Sequence, residues 1–330
     1  MRASRRTFFI MSILLLFFSA ILAVSCGAVR IPPQEIFNII AGKSNVTSRI
    51  ILVSLRLPRV LEAGIVGAGL SVVGAAFQGL FRNPMADPYV LGVSSGAAFG
   101  ATIAIILGLG MFGTGLAAFI TAIVTISIVY IIARTGTKVS MTAMLLCGIA
   151  ISAFLSAFIS LMMLLNHNEL SRIVFWTMGS FSLISWNQVY YSAPIISVGA
   201  ILMYVYARDL NAIMTGEEIA EHLGINTELV KKVILVAGSL ITATAVSIGG
   251  IIGFVGLIVP HIARLLVGSD NRILIPFCAV SGAAFLMLAD TLSRIVLSPS
   301  EIPIGIITAA FGGPFFLYLL IKAKTKYEGM

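Results

Sequence analysis

Ten apolar runs recur along this chain, many of them longer than the ~18 residues that mark a membrane span, and that repetition leaves few architectures open. A backbone in hydrocarbon must satisfy its own hydrogen bonds, so only helices or a closed barrel can cross. The runs are too long for the ~10-residue alternating segments of barrel strands, so the fold class is an all-α polytopic membrane protein. The approximate spans are residues 8–28, 60–81, 91–108, 114–133, 141–165, 187–207, 229–249, 252–268, 273–293 and 303–322. Only 10% of the 330 residues are charged, against ~25% in a soluble domain. The chain reads as a single transmembrane domain, 1–330, with the lipid bilayer as its first partner.

A net charge of +8 could point to nucleic acid, but the Lys and Arg residues sit at span ends, the positive-inside pattern, so no nucleic-acid partner is expected. With the N terminus inside, fourteen basic residues fall in the cytoplasm and seven outside: Arg30, Lys43, Arg49, Arg56, Arg59, Arg172 and Arg294. This count predicts both termini in the cytoplasm, across the cell (inner) membrane. Arg2 to Arg6 followed by an apolar run to Cys26 resembles a signal peptide, and Ala23-Val-Ser-Cys26 faintly resembles a lipoprotein cleavage box. The run is long enough to span and further spans follow, so a retained first helix is expected.

One polar island, Thr215 to Asn226, interrupts the hydrophobic sequence inside a cytoplasmic segment at about 208–228, between spans six and seven. It holds Glu217, Glu218, Glu221 and His222. Ile219, Leu223 and the nearby Ile225 can share the apolar side of a short helix, preceded by Gly216 and ended by Gly224. A short amphipathic helix outside the bilayer needs a surface to pack on.

Several motifs fail on inspection. Gly108-Leu-Gly-Met-Phe-Gly113 fits a dinucleotide pattern, but it lies between spans and no Asp or Glu occurs from 88 to 168 to hold a ribose. Gly42-Lys-Ser44 resembles the end of a phosphate loop, yet the required earlier glycine is Phe37. An ATP-driven function would therefore borrow its engine from another chain, and no cofactor is expected in this one. Cys26, Cys147 and Cys278 lack metal-ligand spacing, and His167, His222 and His261 form no cluster. Glu62 and Asp290 lie near outer span ends, with no carboxylate near the midplane. That counts against an ion-gradient carrier, the alternative transport class, and against an intramembrane enzyme. The chain reads as a transport subunit and not as an enzyme.

Small residues at Gly92, Gly96, Gly100, Ala104 and Gly108 form a stripe along span three, and Gly64, Gly67 and Gly74 thin span two, a pattern that lets helix backbones approach closely. Phe77-Gln-Gly-Leu80 with Pro84 echoes Phe254-Val-Gly-Leu257 with Pro260. The topology places these copies near opposite faces, as in two inverted five-span halves. The external Arg56, Arg59 and Arg294 oppose the positive-inside trend. They read either as interfacial snorkelling or as a basic ring that receives carboxylates from an external partner.

Leu57-Pro-Arg59, Gly79 to Pro88, Leu91 to Gly96, Gly253 to Arg264 and Glu301-Ile-Pro-Ile-Gly305 together resemble the FecCD/BtuC-type permeases, the membrane subunits of type II ABC importers. The resemblance covers essentially the whole chain. It implies ten transmembrane helices and a second permease subunit, identical or paralogous. It also implies two cytoplasmic ABC ATPases that bind ATP and Mg, and an extracytoplasmic substrate-binding protein. Gly216, Glu217, Glu218, Ala220, Glu221, His222, Leu223, Gly224 and Asn226 match the helix that couples to the ATPase. Arg56, Arg59 and Arg294 match positions that receive glutamates of the binding protein. Asn83 and Met85 fall in a turn similar to the translocation gate, with Ser140 and Met141 as its second part; a plain Asn-Pro helix stop is the other reading of Asn83. The implied cargo is a metal chelate, ferric siderophore first, then haem or cobalamin, with an oxyanion such as molybdate as a further possibility.

Overall fold

The structure, a computed structural model, describes residues 2–27, 34, 39, 46–136 and 138–328, with no side chains described at 2, 3, 319, 320 and 322–328. Arg30, Lys43 and the Gly42-Lys-Ser44 segment lie outside the described residues. Helices dominate: α1 (Arg2–Ser25), α2 (Leu57–Leu80), α3 (Val93–Ile106), α4 (Gly110–Ala133), α5 (Met141–Leu165), α6 (Leu170–Thr177), α7 (Trp186–Val205), α8 (Ala207–Thr215), α9 (Glu217–His222), α10 (Thr227–Gly249), α11 (Val255–Val267), α12 (Asn271–Ile295) and α13 (Ile304–Glu328). A two-residue hairpin, β1 (Arg134–Thr135) against β2 (Lys138–Val139), joins α4 to α5. Among the described residues, seven helices are long and apolar enough to cross a membrane. The shorter apolar helices α3, α11 and Ile304–Tyr318 of α13 occupy the other three expected spans.

The centre of the bundle is α2, entered through a π-helical stretch at Ile51–Arg56 and buried along most of its length. Its glycines explain that position. Gly64 faces Met287, and Gly67 lies against the backbone of Gly282 on α12. Gly74 touches the backbone of Gly256 on α11 so closely that a Cβ would collide with the Gly256 carbonyl. Lipid offers no hydrophobic drive between helices, so backbone proximity and dispersion hold such pairs together. The span-three stripe works the same way: Gly96 and Gly100 pack on Thr125 and Thr121 of α4. Those threonines return their hydroxyls to their own helix, at Thr121 O and Ala117 O. Gly92 is instead a left-handed turn residue before α3, and Gly108 lies beyond its end with open space around it.

The two copies of the repeat motif do not lie near opposite faces. Gln78 Nε2 reaches the carbonyls of Gly256 and Leu257, at 3.4 and 3.3 Å, so the copies touch. The reason is the length of α11: thirteen residues reach only ~20 Å, less than the ~30 Å hydrocarbon core, so the helix starts part-way through the bundle. It is preceded by an irregular segment that ends in a left-handed Phe254.

The ends of the bundle are distinct. Arg5 of α1 approaches Gly268 at the end of α11, next to the residues that anchor α8. The last residues of α1 lie at the other end, against Arg56 and Arg294. From that second end α13 starts, and it then passes Phe254 and His261 on its way toward the island. The N terminus and island thus share one end, and the three arginines occupy the other, the relative placement that the charge count requires.

Candidate functional site

At the arginine end, the start of α2 and the end of α12 meet over the last turn of α1. Arg59 donates through Nε and Nη2 to Asp290, at 3.0 and 2.8 Å, and through Nη1 to Glu301, at 2.9 Å. Asp290 also lies 3.1 Å from Nε of Arg294. Arg294 donates through Nη1 to Cys26 O and through Nη2 to Ala23 O, both at 2.9 Å. Arg56 donates to Val24 O at 2.8 Å and Ser25 O at 3.2 Å. The final carbonyls of a helix have no partner within it and carry the negative end of its dipole, so two guanidiniums cap α1. Exposure is only 7% for Arg56, 8% for Arg59 and 5% for Arg294.

This geometry departs from snorkelling, because the guanidiniums point into the protein and not into water. Sequence reasoning missed their partners, Asp290 and Glu301. The spacing of Asp290 and Arg294, one helical turn apart, was a readable signal for one contact. Glu301 is the accessible member, with its side chain 37% exposed, and it borders a cavity of about 350 Å³ with Phe175, Ser180, Ser182, Ile302 and Pro303. Glu62, also expected near this end, is fully buried and accepts a hydrogen bond from Ser192 Oγ at 2.8 Å.

At the island end, α8 and α9 are separated by Gly216. Gly224 adopts a left-handed φ of 80°, and Ile225 N–H returns to Ala220 O at 3.1 Å, so α9 ends where the sequence predicts. Ala220 is fully buried, while Ile219 and Leu223 are 53% and 69% exposed. The expected common apolar side is therefore divided: Ile225 packs on the core, and Ile219 and Leu223 face outward. Glu218 and His222 are exposed beside them. Glu217 instead binds Lys231, and Glu221 accepts from Thr227 Oγ1 at 3.0 Å. Asn226 caps α10 by accepting from Leu229 N–H at 3.0 Å.

The support beneath α9 is stiff. Leu210 and Ile213 of α8 are buried, and Asn211 donates to Asp270 at 2.7 Å while accepting from the Asn271 N–H at 2.9 Å. The Arg272 side chain, hydrogen-bonded to Asp270, helps hold that carboxyl down at about 2. The predicted gate residues lie in two connecting turns. Asn83 Oδ1 accepts from Met85 N–H at 2.9 Å just after α2, and Ser140 Oγ caps α5 through Ala143 N–H at 3.3 Å, with Met141 opening that helix.

A family model for the FecCD transport family matches residues 14–322. The chain belongs to this family. Among relatives, a Bacillus subtilis protein called an uncharacterized ABC transporter permease, YvrB, is 42% identical, covering 98% of this chain and 95% of that one. The cobalamin import system permease BtuC of Halobacterium salinarum is 44% identical over 83% of this chain and 74% of its own length. A solved structure, described as an inward-facing conformation of a transporter assigned to the metal-chelate type of ABC transporter, superposes with a TM-score of 0.86 at 33% identity. It covers 96% of this chain and 99% of that one. This FecCD protein is thus a multi-pass ABC importer permease, and its two polar ends are the places to look for partners.

Proposed function

We propose that this permease imports a metal chelate, ferric siderophore first, with two ATPases at the island end and a substrate-binding protein at the arginine end. The observation that carries the reading is the outward pair Ile219 and Leu223, on a short helix whose inner side is fixed by Ala220, Glu217 and Glu221. Exposed apolar side chains on an anchored helix suit insertion into a groove of another protein. The island end then faces the cytoplasm, and the ATPases bind ATP and Mg. Their closure displaces α8 and α9, and rigid packed helices carry that motion to the turns at Asn83–Met85 and Ser140–Met141. A second permease subunit completes the pathway.

At the opposite end, an incoming carboxylate meets Glu301 before it meets Arg59, so docking requires Glu301 to give way on that guanidinium. Arg56 and Arg294 then shape the site from beneath. In proteoliposomes holding the complete transporter, ATP should drive uptake of an iron-labelled siderophore. Uptake that persists without nucleotide and collapses with the proton gradient would overturn the reading. Cobalamin is the second reading, favoured by the 44% identity to the Halobacterium cobalamin permease. Labelled cobalamin taken up without competition from ferric siderophores would select it.

A further inference from the structure

Lys231, on the second turn of α10, is only 3% exposed despite its charge. Its Nζ donates to Glu217 of α9 at 2.5 Å and to Glu228 at 2.9 Å. The other oxygen of Glu228 accepts from the backbone N–H of Val139 at 3.1 Å. Val139 is the last residue of the β1–β2 hairpin and immediately precedes Ser140. One buried ammonium therefore joins α9, α10 and the hairpin that leads into α5. A parallel link serves the other turn. Arg82, next to Asn83 and held at a φ of 48°, donates to Ile213 O, one of the last carbonyls of α8.

A buried ammonium is strongly unfavourable unless it is paired, so Lys231 resists losing either carboxylate. Separating α9 from the hairpin would break that arrangement, and the low-cost motion is one in which both move together. We infer that Lys231 is a positioning residue that locks the ATPase-facing helix α9 to the hairpin before Ser140 and Met141, making them one moving body. Arg82, through its bond to Ile213 O, ties the turn at Asn83 and Met85 to α8, which leads into α9. The inference rests on the coupling role proposed above for α9.

The test uses the complete transporter in nanodiscs, with Cys26, Cys147 and Cys278 replaced and spin labels placed at exposed sites. Labels at Glu218 and Leu297 report whether α9 moves relative to the arginine end, and labels at Thr135 and Glu218 report whether the hairpin follows. On ATP binding, the Glu218–Leu297 distance should change by about 2 Å or more, the scale of interface helix shifts, with the Thr135–Glu218 distance constant. In Lys231→Gln, the Thr135–Glu218 distance should itself shift by about 2 Å or more with nucleotide. Exchanging the partners, Glu217→Lys with Lys231→Glu, returns a cation between two carboxylates and should restore the constant distance. If Lys231→Gln fails to assemble, Glu228→Ala, which severs the hairpin contact, must show the same release. A wild-type Thr135–Glu218 distance that varies with nucleotide, or one that stays fixed in these variants, overturns the inference alone. Immobility of the Glu218–Leu297 pair overturns the coupling reading and this inference with it.

Discussion

At the arginine end, three guanidiniums, two carboxylates and the last carbonyls of α1 satisfy one another, while at the island end the carboxylates of Glu217 and Glu221 are held by Lys231 and Thr227 and apolar side chains turn out. Both regions stand out in sequence as concentrations of charge in an apolar chain. Their uses of that charge differ. The first is an internal brace that ties α1, α2 and α12 together, with Glu301 at its rim. The second is a platform whose charges fix its base and leave Ile219 and Leu223 free for a partner. A surplus of arginine in a sequence therefore does not establish a basic surface.

Asp290 tests the brace most severely, because it serves Arg59 and Arg294 together while only 1% of its side chain is exposed. Asp290→Asn should cost about 3–5 kcal/mol, the usual result of stranding a buried charge, and thermal unfolding in detergent would read it. A loss under ~1 kcal/mol would mean that the arginines readily find water or other partners, and the contrast between the ends would weaken.

The platform predicts the opposite profile. Ile219→Asp with Leu223→Asp should alter stability by no more than ~0.5 kcal/mol, as surface changes usually do, yet weaken ATPase association by about 2 kcal/mol or more. Co-purification and titration of the ATPase would check both halves. If stability fell and association survived, the outward pair would be packing residues after all.

Glu301 should have a small effect on stability. Its ion pair with Arg59 is partly exposed, so Glu301→Gln should cost only about 0.2–1 kcal/mol, far less than Asp290→Asn. Under the docking proposal, the same change should tighten binding of the substrate-binding protein, measured on the immobilised transporter. Weaker binding would mean that Glu301 contributes to the docking surface directly.

Asp270 gives the smallest signal. Its folded-state value of about 2 lies below the ~3.9 of a free aspartate, so its stabilising contribution is present above about pH 4. That contribution is lost as pH falls through about 2. The unfolding midpoint should therefore fall more steeply with acid in the wild type than in Asp270→Asn, and equal slopes would remove Asp270 from the α8 anchor.

Much of the bundle was legible because its causes are local. Apolar run length gave the helices, Gly224 gave the end of α9, and the spacing of Gly96 and Gly100 gave a close helix contact. The half-length start of α11 was not legible, since Phe254 carries no local sign of its φ of 69°. The setting of Arg59 was hidden for a different reason: its partners Asp290 and Glu301 lie 231 and 242 residues away. Even the short link from Glu217 to Lys231 depends on how α9 folds back on α10. Ile219 and Leu223 were recognisable as apolar, but which of the island's apolar residues stayed outside depended on the burial of Ala220 and Ile225.

By itself, the sequence determined that this chain is a bundle of membrane helices of the FecCD type with one polar island, because hydrocarbon obliges each long apolar run to close its own hydrogen bonds. Only the tertiary structure decided which charges are available to a partner. Availability depends on burial, and burial at Arg59, Arg294 and Lys231 is set by segments that meet only when the helices pack.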